Sequence, residues 1–266
     1  MDNPPEFDML FADGHRTVGR VAAILEMVSA DPYALTLPAM ATRLDAPRSS
    51  VHALVRGLLA TGYIVEHAGR YAIGNAIHTV LRDGDHLDLL VAMARPEIER
   101  LSSAWDETAV LGVRVGNSLV YVDQVESAQQ VRYSPTLWRR RSLLETSMGK
   151  IYLSEMDGAE LRRLAEALRL EADLDALSVE LTDVRRDGLA FNQKRTVTDV
   201  SAIAAGVRDG VGRLVAAVSL AGPAYRMSGK AAAADVAACA AAISRLLAAR
   251  TGGSAGTRNR PPGRRS

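Results

Sequence analysis

Thiols are almost missing from this sequence: Cys239 is its single cysteine. An intramolecular disulfide and a zinc site built on several cysteines are therefore excluded. Set among alanines, Cys239 is expected to be a small buried residue on a helix. Lysine is nearly as scarce, with Lys150, Lys194 and Lys230 the only three among 32 basic residues. Histidine stops early: His15, His52, His67, His78 and His86 all precede the second half of the chain, so no His–Ser dyad can form within that half. No apolar run reaches the ~18 residues of a membrane span. The first 15 residues hold Asp2, Glu6, Asp8 and Asp13 but no Lys or Arg, unlike the basic start of a secretory signal. A cytoplasmic chain with no membrane partner is expected. No metal-ligand spacing such as H-E-x-x-H occurs, and neither a metal nor a cofactor is expected.

What is present describes two folded domains with short tails. The 266 residues are 48% hydrophobic and 24% charged, enough to bury real cores, and are too many for one small module. A net charge of +1 hides local asymmetry: an acidic start, and five Arg without an acid over residues 250–266. Residues 1–15 and 251–266 are expected to be disordered tails, the second being rich in Gly, Pro and Arg.

Residues 16–75 read as three helices and a β-hairpin. Val18, Val21, Ala22, Leu25 and Val28 recur at helical spacing, and Asp31-Pro32 ends the first helix. A short second helix is expected over Leu37–Leu44, with Thr36 as cap and Pro38 in its first turn. Asp45-Ala46 forms a corner in which Asp can take the left-handed conformation, and Pro47 opens the third helix. Val51, Leu54, Val55 and Leu58 face the core. "GYIVE" and "RYAIG" follow as two strands joined by His67-Ala68-Gly69.

That order of elements describes a winged helix-turn-helix, whose third helix enters the major groove of DNA. Arg48, Ser49, Ser50, His52 and Arg56 stand on the polar side of this helix with no acid among them. Arg can pair bidentately with guanine, and Ser hydroxyls suit phosphates. The wing would bring Arg70 toward the flanking backbone. With six Arg against four acids the domain is only mildly basic, so affinity should lean on dimerisation. A basic helix flank by itself is equally a solvated surface; the surrounding elements favour DNA.

A linker helix is expected over residues 76–95, interrupted near Asp83-Gly84-Asp85. Beyond it, 96–250 reads as helices flanking a mostly antiparallel sheet, an α+β arrangement. A hairpin is expected over Val110–Val115 and Leu119–Gln124. Helices are expected at Ser147–Glu155, Gly158–Leu168 and Ser178–Asp187. Strands should follow at Leu189–Gln193, Ser201–Val207 and Leu214–Leu220, and a last helix at Lys230–Ala249.

Three segments, in order, carry a resemblance over nearly the whole chain. They are "PRSSVHALVRGLLATGYIVE…GRYAIG", "SLLETSMGK" and "VRRDGLAFNQ…VSAIAAGVRDGVGRLVAAVSLAGPAYR". Together they resemble the IclR family of bacterial transcriptional regulators. The resemblance implies a GAF-like effector domain at the C-terminus, with a pocket for a small organic acid or aromatic metabolite between the sheet and a Gly-Lys loop. Backbone N–H groups of Ser147, Met148 and Gly149 and the Thr146 hydroxyl would meet an anionic group there. Asn192 and Ser219 fall at polar pocket positions, and Ala202 and Ala221 stand where members often carry Cys and a second Ser. Asp199 replaces a usual Gly and Gly206 a usual Pro, while Lys194 and Arg195 stand where acids are common. Thr146 and Ser147 also have a plain alternative role as helix caps.

The resemblance further implies a homodimer or tetramer that binds double-stranded, pseudo-palindromic operator DNA and answers to a small-molecule effector. Two other readings compete. In one, the second domain only oligomerises. In the other, Ser147-Met148-Gly149-Lys150 matches the S-x-x-K nucleophile motif of serine hydrolases of the penicillin-binding type. The sequence lacks the Lys-Thr-Gly and Ser-Asp-Asn segments that would complete such a site.

Overall fold

A computed structural model describes residues 16–77, 85–167, 174–193, 199–227 and 232–254. The chain divides into two compact units, the first built on the N-terminal 86 residues and the second on most of the rest.

In the first unit, α1 (Arg16–Ala30), α2 (Leu37–Arg43) and α3 (Arg48–Ala60) precede a two-stranded antiparallel hairpin, β1 (Ile64–His67) and β2 (Arg70–Ile73). This is the expected winged helix-turn-helix. The corner before α3 turns at Asp45, whose φ is +42°, and Pro47 is the residue before the first helical one. Ala68 and Gly69 close the hairpin with φ of +50° and +74°, the twist a two-residue turn needs between right-handed strands. Val51, Val55 and Leu58 of α3 pack into a core with Met40, Leu44, Ile64 and Tyr71. The α1 stripe differs from expectation. Ala23, Ile24, Met27 and Val28 are buried, whereas Val18 is 65% exposed. The helix is apolar on most sides, so its periodicity admits two stripes, and packing selects the one against α3 and the hairpin.

The second unit is a six-stranded antiparallel sheet in the order β5-β4-β3-β8-β7-β6. Its strands are β3 (Thr108–Val115), β4 (Ser118–Val125), β5 (Arg140–Ser142), β6 (Leu189–Gln193), β7 (Val200–Arg208) and β8 (Leu214–Pro223). The helices are α4 (Asp85–Trp105), α5 (Ser147–Leu153), α6 (Gly158–Ala167), α7 (Leu174–Asp187) and α8 (Ala233–Ser254). Period-two alternation sorts the strands into two faces. Leu111, Val122, Ile203, Ala205, Val218 and Leu220 join one core with Ala94 and Ile98 of α4 and Val236 and Ile243 of α8. At about 1.5–3 kcal/mol for each large aliphatic chain withdrawn from water, this face is the main stabiliser of the unit. Cys239 lies in it, and burial pushes its thiol up to about 12, with Glu97 adding to the shift. The opposite face carries Thr108, Gly112, Tyr121, Asn192, Ala202, Ser219 and Ala221, and α5 packs over it.

Besides shifts of a few residues at strand and helix ends, the elements depart from the sequence reading as follows. The helix expected to end at residue 95 runs from Asp85 through Pro96 to Trp105, and residues 78–84 lie outside the described residues. The last helix continues to Ser254, into the segment expected as a disordered tail. Leu174 rather than Ser178 begins α7, and β5 was not anticipated. Residues 1–15, 255–266, Lys194 and Arg195 lie outside the described residues.

Candidate nucleic-acid interface and candidate ligand cavity

On α3 the core side fixes what remains outside. With Val51, Val55 and Leu58 turned inward, Arg48, Ser49, His52, Ala53, Arg56 and Gly57 are exposed and Ser50 is half-buried. Arg48, His52 and Arg56 make no ion pair with a described residue. Arg48, His52 and Arg56 therefore stand in line on the exposed side of the helix that a helix-turn-helix places in the groove. Arg70 has an intramolecular role besides its expected place on the wing. Its guanidinium Nη1 donates to the carbonyls of Ala34 (2.7 Å) and Tyr33 (3.3 Å), and the Tyr33 N–H donates to the Tyr71 carbonyl. Arg70 thus ties the wing to the turn between α1 and α2, although its residue surface stays exposed.

In the second unit, antiparallel register aligns the candidate pocket residues. Asn192 faces Ala202 across β6–β7, Ala202 faces Ala221 across β7–β8, and Ala221 faces Thr108 across β8–β3. Ser219 lies in the neighbouring row, between Ala204 and Val110. Above these rows lies a cavity of about 380 Å³ including its mouth. It is lined by Tyr121, Tyr133, Thr146, Ser147, Asn192, Val200, Ala202, Ser219 and Ala221. Of the eight residues expected there, six line one space. Tyr121, Tyr133 and Val200 were not anticipated.

The side-chain roles differ from a simple set of donors. Thr146 is the N-cap of α5: its hydroxyl accepts from the Gly149 N–H (3.0 Å) and donates to the Ser142 carbonyl (3.0 Å). The plain capping role is therefore what this hydroxyl performs, and the Gly149 N–H is used by the cap rather than offered to a ligand. Gly149 and Met148 are not among the lining residues. A Cβ on Gly149 would lie 2.0 Å from the Leu143 carbonyl oxygen, and one on Gly112 would lie 2.9 Å from the Met148 sulfur. Both positions serve close packing.

Asn192 Nδ2 donates to the Glu145 carbonyl at 2.7 Å, fixing the loop before α5 to edge strand β6. The Thr108 hydroxyl donates to the Tyr133 carbonyl (2.6 Å) and accepts from the Ser127 N–H, holding the Tyr133 segment at the end of the sheet. Burial raises the Tyr121 hydroxyl far above its ordinary value, with the neighbouring Tyr133 adding to the shift. The Arg141 guanidinium, 4.4 Å from the Tyr121 ring centroid, opposes it. Tyr121 is thus a neutral hydroxyl throughout the physiological range. The lining contains no Asp, Glu, Lys, Arg or His. Such a cavity recognises its occupant through hydroxyls, one amide and small apolar walls.

Lys150 Nζ is buried and bonded to the Glu180 carboxylate and to the Phe191 carbonyl (2.8 Å). An amine committed in this way is not a base for Ser147, so the geometry gives the S-x-x-K motif no catalytic arrangement. Among the described residues no His, Cys, Asp and Glu group could hold a metal ion, and no helix is long and apolar enough to cross a membrane.

A winged helix-turn-helix with an unpaired cationic face, joined to a sheet domain with a buried polar cavity, defines a DNA-binding transcriptional regulator. Residues 17–68 match the IclR helix-turn-helix domain, and residues 85–245 match the bacterial transcriptional regulator IclR C-terminal domain. The chain belongs to the IclR family of bacterial transcriptional regulators. It is 30% identical over 229 residues to the HTH-type transcriptional regulator BhcR of Paracoccus denitrificans, covering 81% of this chain and 80% of that protein. It is 25% identical to the HTH-type transcriptional repressor AllR of Escherichia coli strain K12, covering 85% and 86%. Among solved structures, Agobacterium tumefaciens repressor BlcR aligns with a TM-score of 0.55 at 26% identity, over 89% of this chain and 98% of that one. An IclR homologue from Microbacterium hydrocarbonoxydans, complexed with 4-hydroxybenzoate, aligns with a TM-score of 0.69 at 20% identity, over 88% and 99%.

Proposed function

We propose that this regulator acts in the cytoplasm as a homodimer or tetramer on a pseudo-palindromic operator, and that the cavity beneath α5 binds its effector, a small organic acid or aromatic metabolite. The observation that carries the reading is the convergence of Tyr121, Tyr133, Ser147, Asn192 and Ser219 on one space walled by Ala202 and Ala221. The hydroxyls of Tyr121, Tyr133, Ser147 and Ser219 can donate to oxygen acceptors on a ligand, and the small alanine walls leave it room. Arg48, Ser49, Ser50, His52 and Arg56 would contact the operator, with Arg70 acting through the wing it anchors. The protein is not an enzyme in this reading, since its one candidate base, Lys150, is an ion-pair partner. Effector binding shifts the balance between arrangements of the two DNA-binding units only as far as it prefers one of them.

The test is calorimetric titration of 4-hydroxybenzoate and a series of short aliphatic acids, followed by operator binding with and without each. A folded Ala202→Leu variant should lose effector binding and keep DNA binding. Undiminished effector binding in that variant would place the site elsewhere. A protein that binds none of these acids and keeps one operator affinity throughout would favour a purely oligomerising second unit.

A further inference from the structure

Arg141 is a cation that the sheet places beside the cavity without giving it an acid. Among the described residues its guanidinium makes one hydrogen bond, from Nη2 to the Thr136 carbonyl at 3.0 Å. Its Nε is buried and bonds to no described residue. Other arginines of the second unit face carboxylates: Arg95 pairs with Asp123, Arg208 with Glu155 and Arg226 with Glu107. Arg141 forms no such pair with a described residue. A half-buried guanidinium of this kind makes its surroundings favourable to negative charge.

Register decides where that charge acts. Arg141 on β5 faces Leu119 on β4, and Tyr121 follows two residues on, so all three lie on the side of the sheet that α5 covers. There the guanidinium lies over the Tyr121 ring, 4.4 Å from its centroid. Tyr121 lines the cavity, whereas Arg141 does not. A cation held on the ring face draws electron density toward itself, which makes the hydroxyl a stronger donor. The same positive field opposes the upward push that burial exerts on this hydroxyl. An anion accepting from it also feels the charge itself, since partly buried charges are screened little by salt. We propose that Arg141, acting through Tyr121, makes the cavity select a carboxylate over its uncharged isostere. Arg141 is thus a positioning residue, and Tyr121 makes the contact. The inference rests on reading this cavity as the effector site. In the competing account Arg141 only pins the Thr136 loop to β5, and its loss weakens charged and neutral ligands alike.

The experiment uses full-length protein and two nearly isosteric ligand pairs, 4-hydroxybenzoate with 4-hydroxybenzamide and butyrate with butyramide. Calorimetric titration at neutral pH gives the acid-to-amide affinity ratio for each pair that binds. Wild type should prefer the acid by about 10-fold, the gap between a charge-assisted and a neutral hydrogen bond. Arg141→Gln should lower that ratio about 5-fold with amide affinity nearly unchanged, and Arg141→Lys should restore most of it. Arg139→Gln removes an equal charge from the same segment and should leave the ratio alone. A wild type without preference, or a ratio unmoved in folded Arg141→Gln, overturns the proposal. So does an equal fall in Arg139→Gln, or acid and amide weakened alike in Arg141→Gln. If Arg141→Gln folds poorly, Tyr121→Phe is the second variant, and a wild-type ratio in that protein overturns the proposal. Failure of the underlying reading looks different: the acids bind Ala202→Leu as well as wild type, or bind neither. Either result removes the proposal together with the reading it rests on.

Discussion

The amide of Asn192, on edge strand β6, donates to the carbonyl of Glu145 at 2.7 Å and thereby ties the sheet to the loop that begins α5. Because Thr146 and Ser147 follow directly, this bond sets the width of the cavity. Replacing Asn192 with Ala removes that donor from a partly buried bond and should cost about 1 kcal/mol of stability. Effector affinity should fall further than stability alone explains. Denaturant unfolding gives the first quantity and calorimetric titration the second. Equal effector affinity in a folded variant would separate Asn192 from the ligand site.

Arg48 and Arg56 offer a cleaner separation of fold from function. Both are exposed and make no ion pair with a described residue, so alanine at either should leave the melting temperature unchanged. If Arg56 reads a base edge, its loss should cost about 1–3 kcal/mol and relax specificity at one position. A phosphate contact would weaken all sites alike and lower the salt slope by about one. Titrations at several salt concentrations distinguish the two.

Arg70 should behave in the opposite way. Its guanidinium is bonded to the Tyr33 and Ala34 carbonyls, so Arg70→Ala removes a charge-assisted link between wing and helices. The first unit should lose about 1 kcal/mol, with the exposed setting keeping the value near the low end. Lowered stability with nearly unchanged operator affinity, measured well below the melting temperature, is the expected pattern. The reverse pattern would return Arg70 to direct DNA contact.

The Lys150–Glu180 pair is asymmetric in burial, with 2% of the lysine side chain and 32% of the glutamate side chain exposed. Removing the glutamate strands a buried ammonium; removing the lysine leaves a carboxylate that water can reach. Glu180→Leu should therefore cost about 3 kcal/mol, and Lys150→Met distinctly less. The double variant should recover much of the larger loss. Equal penalties for the two single changes would show that the carboxylate is held as tightly as the amine.

Legibility in the sequence followed how strongly local chemistry constrained each element. The corner at Asp45, the Pro47 start and the Ala68-Gly69 turn were readable because each needs a particular backbone conformation, and that conformation is present. The face of α1 was not, since a helix with apolar residues on several sides admits more than one stripe. Strand β5 escaped notice because Arg140, Arg141 and Ser142 have no β-type pattern and pair only along one edge. In the cavity, Asn192, Ala202, Ser219 and Ala221 were expected through the family resemblance, and sheet register brings them to one face. Tyr121 and Tyr133 come from segments without a motif and reach the cavity through sheet register and the Thr108 bond to the Tyr133 carbonyl. The exchange of a ligand role for a capping role at Thr146 also required coordinates, because either role suits a threonine before a helix.

The burial of Cys239 has a practical consequence for following this protein at work. Its one thiol sits in the core with its reactivity suppressed, so the unaltered chain offers electrophilic reagents almost no target. A cysteine introduced on the exposed surface of either unit becomes the preferred attachment point for a fluorophore or spin label, with no native residue to remove first. Pairs of such labels, one on each unit, would let distance changes between operator-bound and effector-bound protein be recorded directly in solution.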